Sequence, residues 1–133
     1  MRRFPNHAIT TALVKLISEN SQIRITDHVD ADIELPYAVV GDINTSDSET
    51  KDERITNSSI QVDIYSDYMG RKEIDTIAEE IAKILQSEET CIDLTKDGFQ
   101  CVGGDIESFE TYEEDAFGYI GTITMHLIIQ DLG

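Results

Sequence analysis

The residues best suited to chemistry in this sequence are one histidine and two aspartates that alternate within a short segment. His28, Asp30 and Asp32 stand at i, i+2 and i+4, so an extended chain would place their side chains on one face. Divalent cations take such ligands in proteins, but a complete site needs further converging groups. None can be assigned from the sequence. We therefore interpret this segment as a solvated acidic loop and predict no metal site and no cofactor.

The cysteines, serines and histidines do not form the pattern of a nucleophile with an activating base. Cys91 and Cys101 have no histidine near them in sequence, and His7, His28 and His126 are scattered along the chain. With 27 acidic residues, close pairs of carboxylates are expected by chance and have no diagnostic value. We therefore predict no catalytic residues and no enzyme.

The net charge and its distribution along the sequence say more about function than these residue patterns do. The chain has 27 Asp and Glu against 10 Lys and Arg, a formal net charge of -17, which argues against a protein that grips phosphate backbones. The N-terminal 26 residues are nevertheless basic, with one acid, Glu19, against Arg2, Arg3, Lys15 and Arg24. Beyond Lys96 the sequence contains no Lys or Arg at all.

This asymmetry has two interpretations. One is a soluble acidic surface with a chance imbalance, because net charge mainly governs solubility and association. The other is head-to-tail assembly, in which the basic residues named above form one interface and an acidic set forms a second interface. The acidic set is Glu110, Glu113, Glu114 and Asp115.

The length of 133 residues predicts one compact domain, residues 1–133. No apolar stretch approaches the roughly 20 residues that cross a bilayer, so we expect no membrane partner. Two cysteines are too few for a disulfide framework or a closed zinc site, and we expect both to be reduced.

Hydrophobic periodicity predicts two helices. Apolar residues from Ile9 to Ile17 recur at i, i+3, i+4, i+7 and i+8, which predicts a helix over residues 7–20 with Asn6 as its N-cap. The same spacing recurs from Ile74 to Leu85 and predicts a second helix packed through Ile74, Ile77, Ile81 and Leu85.

Alternating residues predict the strands. Residues 37–43 and 58–64 form an expected antiparallel pair, and residues 119–129 form a long terminal strand. Residues 91–94 and 99–102 flank an Asp-Gly turn, which predicts a hairpin with Cys91 opposite Cys101. Gly103 and Gly104 then predict a bulge in a strand that continues to Phe109, followed by an acidic loop over residues 110–115. The expected class is α+β, a mostly antiparallel sheet with two amphipathic helices on one face.

One segment between the paired strands has no apolar side chain and is longer than an ordinary hairpin loop. We predict that it is an exposed assembly loop, mobile in the isolated subunit and ordered against a neighbouring subunit or another assembly partner, although a tolerated surface insertion is the alternative. The segment is Asn44, Thr45, Ser46, Asp47, Ser48, Glu49, Thr50, Lys51, Asp52, Glu53 and Arg54.

Three short motifs in this order resemble the tail-completion proteins of long-tailed bacteriophages, also described as tail-to-head joining or tail-terminator proteins. The family shows a P-Y-V-V-x-G strand, an x-V-D-V-(Y/W)-S strand and a G-R-x-E-x-x-x-I-A helix start. Here these correspond to residues 36–41, residues 61–66 and the segment from Gly70 to Ala78. The acidity of the long loop and of the C-terminal quarter departs from the pattern.

The resemblance implies a non-enzymatic virion component that forms a ring, with six subunits, at the head-proximal end of the tail tube. Its implied partners are further copies of itself, the tail tube protein and the head connector or head-completion protein, with DNA passing through unbound. With this resemblance, the alternative role of the acidic set Glu110, Glu113, Glu114 and Asp115 is to line the channel of the ring. The implied locations are the virion and, during assembly, the host cytoplasm. The alternative class is an acidic interaction module, such as a DNA mimic that blocks a basic partner.

Overall fold

The computed structural model describes residues 3–28, 34–47, 54–67, 70–86, 92–114 and 118–133. These residues form two long helices, five strands and one short 3-10 turn. In chain order these are α1 (Asn6–Asn20), β1 (Ile25–Thr26), β2 (Tyr37–Asp47), β3 (Ile55–Ser66), α2 (Lys72–Gln86), the 3-10 turn (Thr95–Asp97), β4 (Phe99–Glu114) and β5 (Gly118–Asp131).

The five strands form one sheet in the order β1-β2-β3-β5-β4. All pairs are antiparallel except the short parallel contact of β1 with β2. The predicted pairing of β2 with β3 is confirmed, and so is the α+β class with a mostly antiparallel sheet.

The core lies between the helices and one face of the sheet. Every second residue of β3 is buried, including Ile60, Val62 and Ile64, as are alternate residues of β5 from Ile123 to Ile129. α1 contacts β1 and β2, whereas α2 contacts β3, β5 and β4. Both helices therefore cover the same face, as the sequence predicted.

The start of α1 differs from the prediction. Pro5 occupies the N-cap position, and no side chain caps the helix there. The side chain of Asn6 turns to β2 instead, where its Oδ1 accepts a hydrogen bond from Thr45 Oγ1 at 2.6 Å and its Nδ2 donates to the Ile43 carbonyl at 3.5 Å. The prediction of an Asn6 cap was wrong because this amide joins the helix to the neighbouring strand.

Helix α2 packs in a register close to the predicted one. Ile74 and Ile81 are fully buried, as expected, but Ile77 and Leu85 are only half-buried. Ala78 and Ile84 complete the buried face. The N-terminal end of the helix is tied to the sheet by Ser66 Oγ, which donates to Glu73 Oε1 at 2.6 Å.

Strand β2 extends beyond the predicted boundary. Asn44 to Asp47 belong to the strand and pair with β3 residues from Ser59 to Thr56, so the expectation of a loop over these four residues was wrong. Hydroxyl contacts replace apolar burial there: Thr45 Oγ1 lies 2.8 Å from the Oγ of buried Ser58. Polar side chains can therefore lie on the buried face of two paired strands when they form hydrogen bonds with one another.

The predicted hairpin around Asp97 and Gly98 does not form. Residues 92–94 are not a strand, and the Leu94 carbonyl accepts hydrogen bonds from the backbone N–H groups of Asp97 and Phe99. The chain turns through the 3-10 segment, Gly98 ends it at φ 82°, and Phe99 pairs with Asp131 of β5. Cys91 lies outside the described residues.

Strand β4 confirms the bulge but not the acidic loop. The ladder with β5 shifts register between Cys101 and Gly103, as expected near the two glycines. The strand then runs on to Glu114, where it pairs with Gly118, so residues 110–114 were wrongly predicted as loop. Backbone hydrogen bonds to β5 hold this polar segment in the sheet. Acidic side chains on an edge strand discourage its pairing with strands of other chains.

Candidate functional site

Arg3, one residue of the predicted basic interface, makes contacts within its own subunit. Arg3 Nε donates to Asp131 Oδ2 at 3.1 Å, and its guanidinium forms a second contact with Asp131 Oδ1. The same group donates to the Gly98 carbonyl at 3.0 Å and lies 4.6 Å from the centre of the Phe99 ring. Arg3 therefore joins the N-terminal segment to the last strand. The basic N-terminal segment and the acidic C-terminal part of the chain are in contact here.

This contact changes the acidity of its carboxylate. The hydrogen bond from Arg3 lowers the pKa of Asp131 from 3.8 to about 2, with a smaller contribution from the backbone N–H of Gly133. The pKa of Arg3 is raised by the same contact. Arg3 is exposed and Asp131 is half-buried, so solvent weakens the ion pair and its main effect is to position the N-terminal segment against β5.

The other residues of the predicted basic interface have different surroundings. Arg24 Nη1 donates to the Glu34 carbonyl at 3.1 Å, and its Nη2 lies 3.6 Å from the Glu34 carboxylate. Lys15 is exposed on α1, and Arg2 lies outside the described residues. The role of these residues as one interface stays a prediction.

The predicted acidic set is also divided. Glu110 pairs with Thr122, on the face of the sheet opposite the helices, while Glu113 pairs with Tyr119, which packs on the helix side. Asp115 and the side chain of Glu114 lie outside the described residues. The carboxylates of β4 thus alternate between two faces, as side chains of a strand must.

A different separation of charge is clear in the structure. The strands contain acidic residues but no Lys or Arg. Within the described ranges, the cations lie only on helices, the 3-10 turn and connections: Arg3, Lys15, Arg24, Arg54, Arg71, Lys72, Lys83 and Lys96. Sequence reasoning found a gradient along the chain, but the stronger contrast is between two layers of the fold.

The face of the sheet opposite the helices, which we call the open sheet face, is mostly polar. Neighbouring strands place Asn44, Ser59, His126 and Asp105 in one row across it. His126 Nε2 lies 3.1 Å from Asn57 Oδ1 of the adjacent strand. Hydroxyls, amides and acids therefore line this surface.

One end of the open sheet face is aromatic. Tyr37, Tyr65, Ile120 and Tyr112 form a row across β2, β3, β5 and β4. The rings of Tyr37 and Tyr65 are stacked, with centres 5.0 Å apart. Burial, with the nearby charge of Asp63, raises the pKa of the Tyr65 hydroxyl. This row had no signal in the sequence because its members come from four separate strands.

A groove runs between α2 and the edge strand on the helix-covered side. It has a volume of about 310 Å3, and we call it the α2–β4 groove. Its apolar lining is Ala78, Ala82, Ile106, Phe109 and Ile123, and its two acidic residues are Asp75 and Glu79. The groove exists because α2 presents small alanines toward β4 and leaves Phe109 40% exposed.

Two further predictions fall largely outside the described residues. These include residues 48–53 of the predicted assembly loop, whose docking role stays a prediction, and Asp30 and Asp32 of the alternating segment. His28 Nδ1 lies 3.0 Å from Asp27 Oδ1, and this contact lowers the pKa of Asp27. Among the residues that the structure describes, no three His, Cys, Asp or Glu side chains are grouped as a metal would require.

Neither long helix of the described chain combines the length and apolar character of a membrane span.

Comparison with known proteins identifies the family. The family Tail completion protein gp17 matches residues 6–128, which is most of the chain. This protein therefore belongs to that family, and the resemblance predicted from three short motifs is confirmed. Membership places the chain among the structural proteins of phage tail assembly.

A solved structure has the same fold. A chain of the virion of a native gene transfer agent (GTA) particle matches with a TM-score of 0.67 and 13% sequence identity, over 89% of this chain and 84% of that chain. At this identity the likeness concerns the fold alone. No curated protein sequence matches this chain significantly.

Proposed function

We propose that this protein forms a ring of six subunits that caps the head-proximal end of a phage tail tube. The ring stops tube growth, joins the tail to the head connector or head-completion protein, and leaves a channel for DNA. Its role is structural and non-enzymatic. Its partners are other copies of itself, the tail tube protein and the connector, in the virion and in the host cytoplasm during assembly.

The observation that carries this proposal, beyond family membership, is the absence of Lys and Arg from the strands. DNA that crosses a ring must meet a wall that does not bind phosphates, and cations in the wall would hold the backbone electrostatically. The open sheet face offers hydroxyls, amides and carboxylates instead. We therefore assign the open sheet face to the channel wall and the helices to the outside of the ring.

The alternation of acidic side chains favours this role over mimicry of DNA. A mimic presents acids on one ordered face at phosphate-like spacing. Here Glu110 and Glu113 lie on opposite faces of β4, and the open sheet face alternates acids with neutral groups. Such a surface does not attract phosphate groups, and its acids are not arranged at the spacing of phosphates in DNA.

A matched pair of substitutions tests the channel assignment. Thr124→Lys places a cation on the open sheet face, opposite Gln61 of β3, and Thr76→Lys makes the same change on the exposed surface of α2. In a phage that encodes this protein, both variants should give joined particles. The Thr124→Lys particles should eject DNA more slowly and lose infectivity at least tenfold, whereas Thr76→Lys particles should not.

Particles carrying Thr124→Lys that eject DNA at the normal rate would contradict the assignment. If Thr124→Lys lowers the melting temperature of the purified protein, Gln61→Lys on the adjacent strand provides the second variant.

A further inference from the structure

We infer that Phe4 of one subunit inserts into the α2–β4 groove of a second copy of this chain. The inference rests on the ring proposed above and names the contact that would join its subunits. It starts from two features at different places on one molecule, an aromatic side chain held outward and an apolar groove that none of the described side chains fills.

Phe4 is held in the solvent by its neighbours. Arg3 before it is fixed to Asp131, Gly98 and Phe99, and Pro5 after it is fully buried with its carbonyl bonded to the Ile9 N–H. Phe4 itself is 67% exposed, more than any other large hydrophobic side chain of the described residues. An aromatic group already held in place loses little conformational entropy when it binds a partner.

The α2–β4 groove has room for a phenyl ring. Its volume is about 310 Å3, and protein cavities of roughly 150 Å3 already accept benzene. Ile123 at its base is buried, and Phe109 on its wall would provide an aromatic contact. Filling the groove would cover the exposed part of Phe109.

Charge selects Phe4 among the exposed hydrophobic residues. The groove carries Asp75 and Glu79 and no cation in its lining, so it favours an apolar group that is flanked by positive charge. In the sequence Phe4 follows Arg2 and Arg3, whereas Phe109, Tyr112 and Leu132 each adjoin an acid, and Val102 lies between uncharged residues.

The distance between the two features requires two copies. Arg3 contacts Gly98 and Phe99 at the first residues of β4, while Phe109 of the groove lies much further along that strand. The β5 partners of Phe99 and Phe109 are eight residues apart, so at about 3.3 Å per residue the separation is roughly 26 Å and Phe4 cannot reach its own groove. A contact between two different patches is heterologous, which is the type of contact that forms a ring when the rotation between neighbouring subunits closes.

The test measures association of the purified chain by analytical ultracentrifugation, alone and on isolated tail tubes. Phe4→Ala removes the aromatic group, Ala82→Glu obstructs the groove, and Val102→Ala removes an exposed apolar group elsewhere as the control. We expect each of the first two to weaken association at least tenfold, equivalent to about 1.4 kcal/mol, and the control to have no effect. A mixture of Phe4→Ala and Ala82→Glu should form dimers, because each variant keeps the half that the other lacks.

Normal rings from both Phe4→Ala and Ala82→Glu would overturn this contact and leave the ring itself in place. A wild-type chain that never associates, in solution or on tail tubes, would overturn the ring and the contact together. Melting temperatures identify any variant with a damaged fold, and Glu79→Lys on the exposed rim then tests the groove without changing its shape.

Discussion

At the scale of single residues, Arg3 has the most consequential set of contacts. It joins the N-terminal segment to β5 through Asp131 and to the start of β4 through Gly98 and Phe99. The sequence predicted a basic interface from residue types alone. The sequence did not indicate that Arg3 contacts its own subunit, because its partner Asp131 is at the other end of the chain.

The Arg3–Asp131 contact predicts a dependence of stability on pH. The pKa of Asp131 falls from 3.8 to about 2 on folding, so the contact stabilises the protein above pH 4 and is lost as the pH falls through 2. Asp131→Asn should therefore lower the melting temperature slightly at pH 7. The difference from the wild type should disappear near pH 2.

Thermal unfolding followed by circular dichroism between pH 2 and pH 7 checks this prediction, if the protein folds reversibly at each pH. Asp97→Asn, at an exposed position of the 3-10 turn, is the control. A constant difference between Asp131→Asn and the wild type across that range would show that the carboxylate charge is not responsible.

At the scale of elements, α2 has the packing that most directly tests the register of the fold. Ile81 is fully buried, but Ile77 is only half-buried at the side of the helix. Ile81→Ala should lower the free energy of unfolding by about 2 to 5 kcal/mol. Ile77→Ala should cost clearly less, because part of its side chain already contacts water.

Urea unfolding of the two variants and the wild type provides the comparison. Equal losses, or a larger loss for Ile77→Ala, would mean that α2 is rotated relative to the register described here. Thr76→Ala, on the exposed side of the same helix, controls for the change in helix propensity.

Elements with a strong apolar period were predictable, and polar ones were not. The sequence predicted α2, β3 and β5 because apolar side chains repeat at helical or alternate spacing. It missed Asn44–Asp47 because hydroxyl and backbone contacts hold that part of β2. It misplaced the turn at Asp97, since a 3-10 turn and a hairpin share the Asp-Gly signal.

The α2–β4 groove was beyond prediction for a different reason. Its lining comes from α2, β4 and β5, and it depends on which strands the helices cover. Ala78 and Ala82 read in sequence as ordinary members of an amphipathic helix. Only the strand order, with β4 at the edge, shows that they face a gap.

At the scale of the whole molecule, acidic residues occur in both layers of the fold, but the described cations are excluded from the sheet. The strands carry acids and no cations, while the described cations lie on the helices and connections. The end-to-end gradient in the sequence is a consequence, because the last two long strands occupy the C-terminal part of the chain. We propose that the cation-free sheet forms the inner surface of the ring and the helices form its outer surface.

The most direct measurement is electron microscopy of particles from a phage that encodes this protein, with and without its gene. We expect a ring at the head-proximal end of wild-type tails, with the open sheet face toward the channel. Without the gene we expect filled heads and unjoined tails that lack the ring. Tails of normal length joined to heads in the absence of this protein would show that the protein has no part in tail completion.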